Sequence, residues 1–212
     1  MTPHASPVED LALHGVRVLG FPTTARVAGR FRLDHDAVEE ALLDAEARGW
    51  VRRLSFGGGT GWSLSDAGRG EGERRLAAEL DALGVRDEVA GVHARFRPLN
   101  RRFGAACTDW QVHPTRLDPM ALNDHTDWRW DERVLRTLTS VQGSFAALCA
   151  ELAARLARFE GYAGLYDAAL RRVGAGERGW VDGHDRDSLH LVWIQFHEDL
   201  LATLGIPRGT DA

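Results

Sequence analysis

The succession of apolar and polar positions marks out a series of helices interrupted by one short hairpin. Val8, Leu11, Ala12, Val16 and Leu19 recur at helical spacing, and Phe21-Pro22 ends that run. Thr23 or Thr24 caps a short second helix through Arg30, with Ala25, Val27 and Ala28 available for packing, and Phe31-Arg32-Leu33 reads as a tight turn. Asp34 caps a third helix with the buried stripe Ala37, Val38, Ala41, Leu42 and Ala45, and Gly49 supplies a left-handed stop after Arg48. Trp50 to Phe56 and Trp62 to Leu64 read as two strands joined by the GGGTG turn at 57–61. Ser65 then caps a polar helix through Leu83, whose glycines at 68, 70 and 72 weaken its start.

Beyond it, Val89, Val92, Phe96, Leu99 and Phe103 form the apolar side of a helix from Arg86 to Phe103, interrupted or ended near Pro98. Residues 107–130 combine prolines, tryptophans, histidines and aspartates and read as a loop-rich stretch. The strongest periodicity follows, with Val134, Leu138, Val141, Phe145, Leu148, Leu152, Leu156 and Phe159 stepping by threes and fours. As one helix from Asp131 to Phe159 it would span about 43 Å, serving as a bundle core or a dimer helix. A shorter helix from Tyr162 to Val173 and a final, largely buried one from Asp187 to Leu204 complete the chain. The expected fold class is therefore mainly α: a winged helix-turn-helix with a two-stranded wing over residues 1–82, then a C-terminal helical bundle for ligand sensing and dimerisation over residues 83–212.

The stretch TARVAGRFRLDHDAVEEALLDAEARGWVRR followed by GWSLSDAGR resembles the helix-turn-helix, wing and following helix of bacterial MarR-like or PadR-like regulators, over roughly residues 8–80. CTDWQ at 107–111, NDHTD at 123–127 and LHLVWIQFHEDLL at 189–201 extend the resemblance to a group of actinobacterial proteins described as transcriptional regulators, found alone or joined to phosphohistidine-type PEP-utilising domains. The resemblance implies DNA binding through the winged helix.

Charge bears directly on that implication. The 212 residues carry 26 basic and 31 acidic side chains, a formal net charge of −5, so no global field draws the chain to nucleic acid and any DNA contact is local. All the basic residues are arginine, which suits bidentate phosphate or carboxylate recognition and equally follows from a GC-rich genome; lysine Schiff-base chemistry is excluded. Residues 1–80 hold ten arginines against twelve carboxylates. The third helix carries His35, Asp36, Glu39, Glu40, Asp44 and Glu46 off its buried stripe, and carboxylates facing a duplex meet like charge. The candidate DNA contacts are Arg26, Arg30, Arg32, His35, Arg52 and Arg53, serving phosphate positioning more than base readout. The Gly57–Gly61 tip lacks the arginine often inserted into a minor groove.

Cys107 and Cys149 belong to no CxxC pair, so neither a structural zinc nor a disulfide framework is signalled. MTPHASPVED lacks a signal-peptide pattern, and no run approaches 18 apolar residues, so a cytoplasmic protein without a membrane partner is expected.

Polar and aromatic side chains concentrate in three C-terminal segments, giving the candidate ligand-binding residues Asp109, Trp110, Asn123, Asp124, His125, Trp128, His190, Trp193 and His197. His190 and His197 stand two turns apart, too far for the adjacent-turn pair of a HExxH zinc site. A metal would need His125, Asp124, Asp127 or Cys107 as well; no metal, cofactor or catalytic residue is assigned. No nucleophile elbow, phosphate loop or dinucleotide fingerprint is present. The leading expectation is a homodimeric, one-component transcriptional regulator that binds double-stranded DNA and a small-molecule effector. The alternative is a winged-helix scaffold that has lost DNA binding and serves as a ligand-binding protein, an interaction module, or an enzyme with His190 or His197 as general base and Asp109 or Asp124 as orienting acid.

Overall fold

The computed structural model describes residues 2–207 and Gly209. Among them the chain is mainly helical, with α1 (Val8–Leu19), α2 (Thr24–Phe31), α3 (His35–Ala47), α4 (Asp66–Leu83), α5 (Arg86–Gln111), α6 (Trp128–Ala153), α7 (Tyr162–Gly174) and α8 (Leu189–Leu204). A single antiparallel pair, β1 (Val51–Phe56) and β2 (Gly59–Leu64), lies between α3 and α4. No helix among the described residues is long and apolar enough to cross a membrane.

Side chains set the helix starts. Thr23 accepts from Arg26 N, Asp34 from Ala37 N and Ser65 from Gly68 N, each satisfying a first-turn amide. Gly49, at φ 73°, takes the left-handed conformation that turns the chain from α3 into β1. Gly57 and Gly58 both have positive φ, so they close a two-residue loop, and β2 begins at Gly59 instead of after the whole glycine run. The register pairs Val51 with Leu64 and Ser55 with Thr60. Gly68 has a packing role: a Cβ there would stand 2.1 Å from the Trp50 carbonyl oxygen, so only glycine lets α4 start against that backbone.

Compactness divides the chain otherwise than a single cut between residues 82 and 83. One unit comprises residues 2–90, 152–161 and 195–207; the other comprises 91–151 and 162–194. In the first, α1, α2 and α3 enclose Leu13, Val16, Val27, Val38 and Leu42, and the hairpin closes that core with Val51 and Trp62. In the second, Trp193 is the centre of an aromatic core: its ring stacks on Phe103 at 4.1 Å and lies near Phe145 and Phe96, while Nε1 donates to Asn100 Oδ1 at 2.8 Å.

Three expectations for the helices are corrected. α5 runs through Pro98 and takes in residues 107–111, which the sequence placed in a loop. Pro98 and Ala94, whose carbonyl loses its helical partner, are both exposed, so water can satisfy what the proline removes. The helix expected from Asp131 to Phe159 begins earlier, with Asp127 accepting from Arg129 N and Trp130 N, and ends at Ala153. There His4 intervenes: its N–H donates to Arg155 O and its carbonyl accepts from Ala157 N, drawing Leu156 into an isolated bridge. The apolar period nevertheless continues, because Leu156, which precedes a 3-10 turn over Ala157–Phe159, and Phe159, which ends it, are fully buried.

Candidate functional site

The surface formed by α2, α3 and the hairpin is organised around a buried indole. Trp62 Nε1 donates to Thr24 Oγ1 at 2.9 Å, and the Thr24 hydroxyl donates to Glu39 Oε2 at 2.5 Å. The other Glu39 oxygen pairs with the Arg53 guanidinium, which lies over the Trp62 ring at 4.4 Å. The Thr24 hydrogen bond, with Arg53 adding to it against the effect of burial, holds the Glu39 carboxyl below the usual carboxylate range. An open groove of about 370 Å³ runs along this cluster, with Thr23, His35 and Thr60 also lining it.

The six candidate DNA contacts have different surroundings. Arg26 and Arg52 are exposed. Arg32 is 79% exposed at its side chain and stands 3.5 Å from Glu160, and His35, also exposed, stands 3.2 Å from Asp36. Arg53 is engaged by Glu39. Arg30 is half-buried, donating through Nη1 to Glu160 O at 2.9 Å and through Nη2 to Arg158 O at 3.1 Å. Asp36, Glu40 and Asp44 are exposed on α3 itself.

In the second unit, three candidate ligand-binding residues come together around Asp131, which is not among the candidates named from the sequence. His125 Nδ1 lies 3.0 and 3.1 Å from the two oxygens of Asp131, whose side chain is 7% exposed. Asn123 Nδ2 donates to Asp131 Oδ1 at 2.9 Å and to Trp110 O at 3.0 Å, and Asn123 Oδ1 accepts from His125 N. With both amide hydrogens of Asn123 engaged, the proton between His125 and Asp131 belongs on Nδ1, which leaves Nε2 as an acceptor in the neutral ring. The Trp110 ring lies 4.4 Å from the imidazole, and Arg178 stands 3.8 Å from the second Asp131 oxygen. His125 has φ 58°, an uncommon conformation for a residue with a side chain.

The other candidates lie apart from this cluster. Asp109 borders a shallow cavity of about 300 Å³ with Arg102, Arg133 and Thr137, while its carbonyl accepts from Trp130 Nε1 at 2.6 Å. Asp124 is spent on Thr126, accepting from its N–H and hydroxyl. Trp128 is 63% exposed. Trp193 is consumed by the aromatic core, and His190 lies beside Phe103, where burial lowers its pKa. His197 belongs to the first unit. Among the described residues no group of three or more His, Cys, Asp or Glu side chains gathers as a cation site, so Cys107, Asp124, His125 and Asp127 do not form one. The Cys107 thiol is pushed up to about 12, by burial first and then by Asp182, which favours the protonated thiol over the thiolate.

A buried ionic network in the first unit escaped the sequence reading. His14 Nε2 stands 2.9 Å from Asp199 Oδ1, and both side chains are inaccessible to solvent. Arg158, also fully buried, pairs with Glu79, donates to Ser6 Oγ and Thr203 Oγ1 at 3.2 Å, and stands 3.7 Å from Asp199 through Nε. Arg17 joins Glu198 at 2.8 Å and Glu73 at 2.6 Å. The signal was present as polar residues on apolar faces: His14 sits at helical spacing from Leu11 and Val18, and Glu198-Asp199 lies between the apolar residues Phe196 and Leu200-Leu201.

No family model, curated protein or solved structure matches the chain. The functional reading therefore stands on these residues.

Proposed function

We propose that α1–α3 with the β1–β2 hairpin form a winged helix-turn-helix, that the protein is a DNA-binding transcriptional regulator of the MarR-like or PadR-like kind, and that its second unit takes a small-molecule effector. The observation carrying this reading is the Trp62–Thr24–Glu39 chain of hydrogen bonds, which fixes the hairpin against α2 and α3 at the place where a wing and a third helix would embrace a duplex. Arg26, Arg32 and Arg52 are exposed on the elements flanking α3 and would supply phosphate contacts. The Asn123–His125–Asp131 cluster would offer an effector an imidazole acceptor oriented by a carboxylate. The apolar stripe of α6 is buried within the single chain, so a homodimer would use another face.

Selection of genomic fragments followed by anisotropy titration tests the reading. One enriched sequence is expected, with log K against log salt falling by roughly 0.9 for each phosphate contact. Replacing Arg26, Arg32 and Arg52 by Gln should flatten the slope by about three contacts.

One observation favours a second reading, in which the scaffold no longer binds DNA. Asp36, Glu40 and Asp44 are exposed along α3. No retention of any fragment at low salt would establish it, and the His125–Asp131 pair would then become the centre of interest.

A further inference from the structure

We propose that the shallow cavity between α5 and the first half of α6 binds a small zwitterion, a molecule that carries an amine and a carboxylate on one short carbon skeleton. The site lies wholly in the second unit and uses none of the side chains of Asn123, His125 and Asp131. Its volume is about 300 Å³, at the small end of the roughly 300–1,000 Å³ of ligand sites.

The charges on its lining carry the inference, because none of them is spent on another charge. Arg102, Arg133 and Asp109 border the cavity. Arg102 donates through Nη2 to the Ser140 hydroxyl at 3.0 Å, and the Arg133 guanidinium lies 4.1 Å from the Trp130 ring. Both are positioned by neutral partners, which fix a guanidinium without cancelling its charge. Among the described residues the Asp109 carboxylate has no hydrogen bond and no ion pair, although two arginines share its cavity. Elsewhere on this chain neighbouring charges do pair, as in Arg74–Glu71, Arg75–Asp10, Arg86–Asp81 and Arg155–Glu88.

The separation follows from helix geometry. Arg102 and Asp109 stand seven positions apart on α5, two turns along one face and about 10 Å between their Cα atoms. Ala106 on α5 and Val134 on α6, both buried, supply an apolar floor. An anion alone would meet Asp109 and a cation alone would meet the arginines. A ligand with both charges satisfies each end, its carboxylate accepting from the planar guanidinium donors and its amine donating to Asp109.

The test is calorimetric titration of the full chain, without DNA, at neutral pH and constant ionic strength. The probes are alanine, γ-aminobutyrate, butyrate and butylammonium. At least one zwitterion should bind saturably, about tenfold or more tighter than butyrate or butylammonium. Tightest binding of alanine assigns an α-amino acid, and tightest binding of γ-aminobutyrate assigns a more widely spaced pair of charges. Asp109→Asn, which removes a charge that makes no internal contact, should weaken the zwitterion about tenfold and leave butyrate no weaker. Arg133→Gln should weaken both. The variants lie outside the DNA surface and the Asn123–His125–Asp131 cluster, so their result is separate from the fate of either reading. Absence of saturable zwitterion binding, butyrate binding as tightly as the zwitterions, or an unchanged zwitterion dissociation constant in either variant would overturn the proposal.

Discussion

Glu39 on α3 and Arg53 on β1 neutralise one another at the surface proposed to meet DNA, with Thr24 fixing the carboxylate and the Trp62 ring lying beneath the guanidinium. The pair removes one of the repulsive charges on α3 and at the same time withholds a cation from phosphate. Glu39→Gln keeps an acceptor for Thr24 but abolishes the ion pair. Under the DNA-binding reading, the variant should bind more tightly, with a log–log salt slope steeper by about 0.9, one extra phosphate contact. Anisotropy titration across salt concentrations reads this directly; an unchanged slope would mean that Arg53 does not reach the backbone.

His14, Arg158 and Asp199 predict where the first unit is most sensitive. Removing one member of a buried ion pair leaves an uncompensated charge, so Asp199→Ala should cost about 3–5 kcal/mol in urea unfolding. Glu151→Ala, which breaks the exposed pair with Arg95, should cost less than about 1 kcal/mol. Burial alone would raise the Asp199 pKa, but His14 and Arg158 more than offset it and hold the carboxyl below its ordinary value. A depressed carboxyl contributes stability above its unfolded pKa of about 3.9 and loses it as pH falls through the folded value. Acid unfolding should therefore be shallower in Asp199→Asn than in the parent.

These sensitivities also show what the sequence made legible. Asp34, Ser65 and Gly49 announced their turns, and the Thr23-Thr24 pair announced a cap that the structure gives to Thr23, because capping is local chemistry; the hairpin was legible from its glycines for the same reason. The break after Ala153 was not, because it depends on backbone bonds with His4, about 150 positions away in the chain. Pro98 misled in the opposite direction: its exposure makes the lost hydrogen bond tolerable. At the candidate site, segment composition pointed to Trp110, Asn123 and His125 but could not separate them from Asp109, Asp124 and Trp128, whose side chains go elsewhere. Asp131 resembled an ordinary first-turn helix acid and is instead the residue on which the cluster converges.

Asn123 should be the energetic centre of that cluster. Asn123→Ala removes the donors to Asp131 and Trp110 O and the acceptor for His125 N, leaving partly buried groups unsatisfied at a cost of about 1–3 kcal/mol. The loss should be local, so amide exchange across residues 113–127 should accelerate while amides of α1–α3 keep their protection. Exchange read by mass spectrometry distinguishes this from global destabilisation, which would speed both regions together.

His190 predicts a pH dependence of the opposite chemical origin. Burial disfavours its imidazolium more than the neighbouring Asp182 favours it, so its pKa in the folded chain lies below that of a free histidine. As pH falls from about 6.5, the unfolded chain binds a proton that the folded chain resists, so stability declines toward the folded pKa. His190→Gln removes that proton-binding difference. The variant's urea midpoint should fall less than the parent's between neutral pH and about pH 5, where most carboxyl groups remain ionised. Parallel midpoints across the interval would show that His190 is protonated as readily in the folded chain as in the unfolded one.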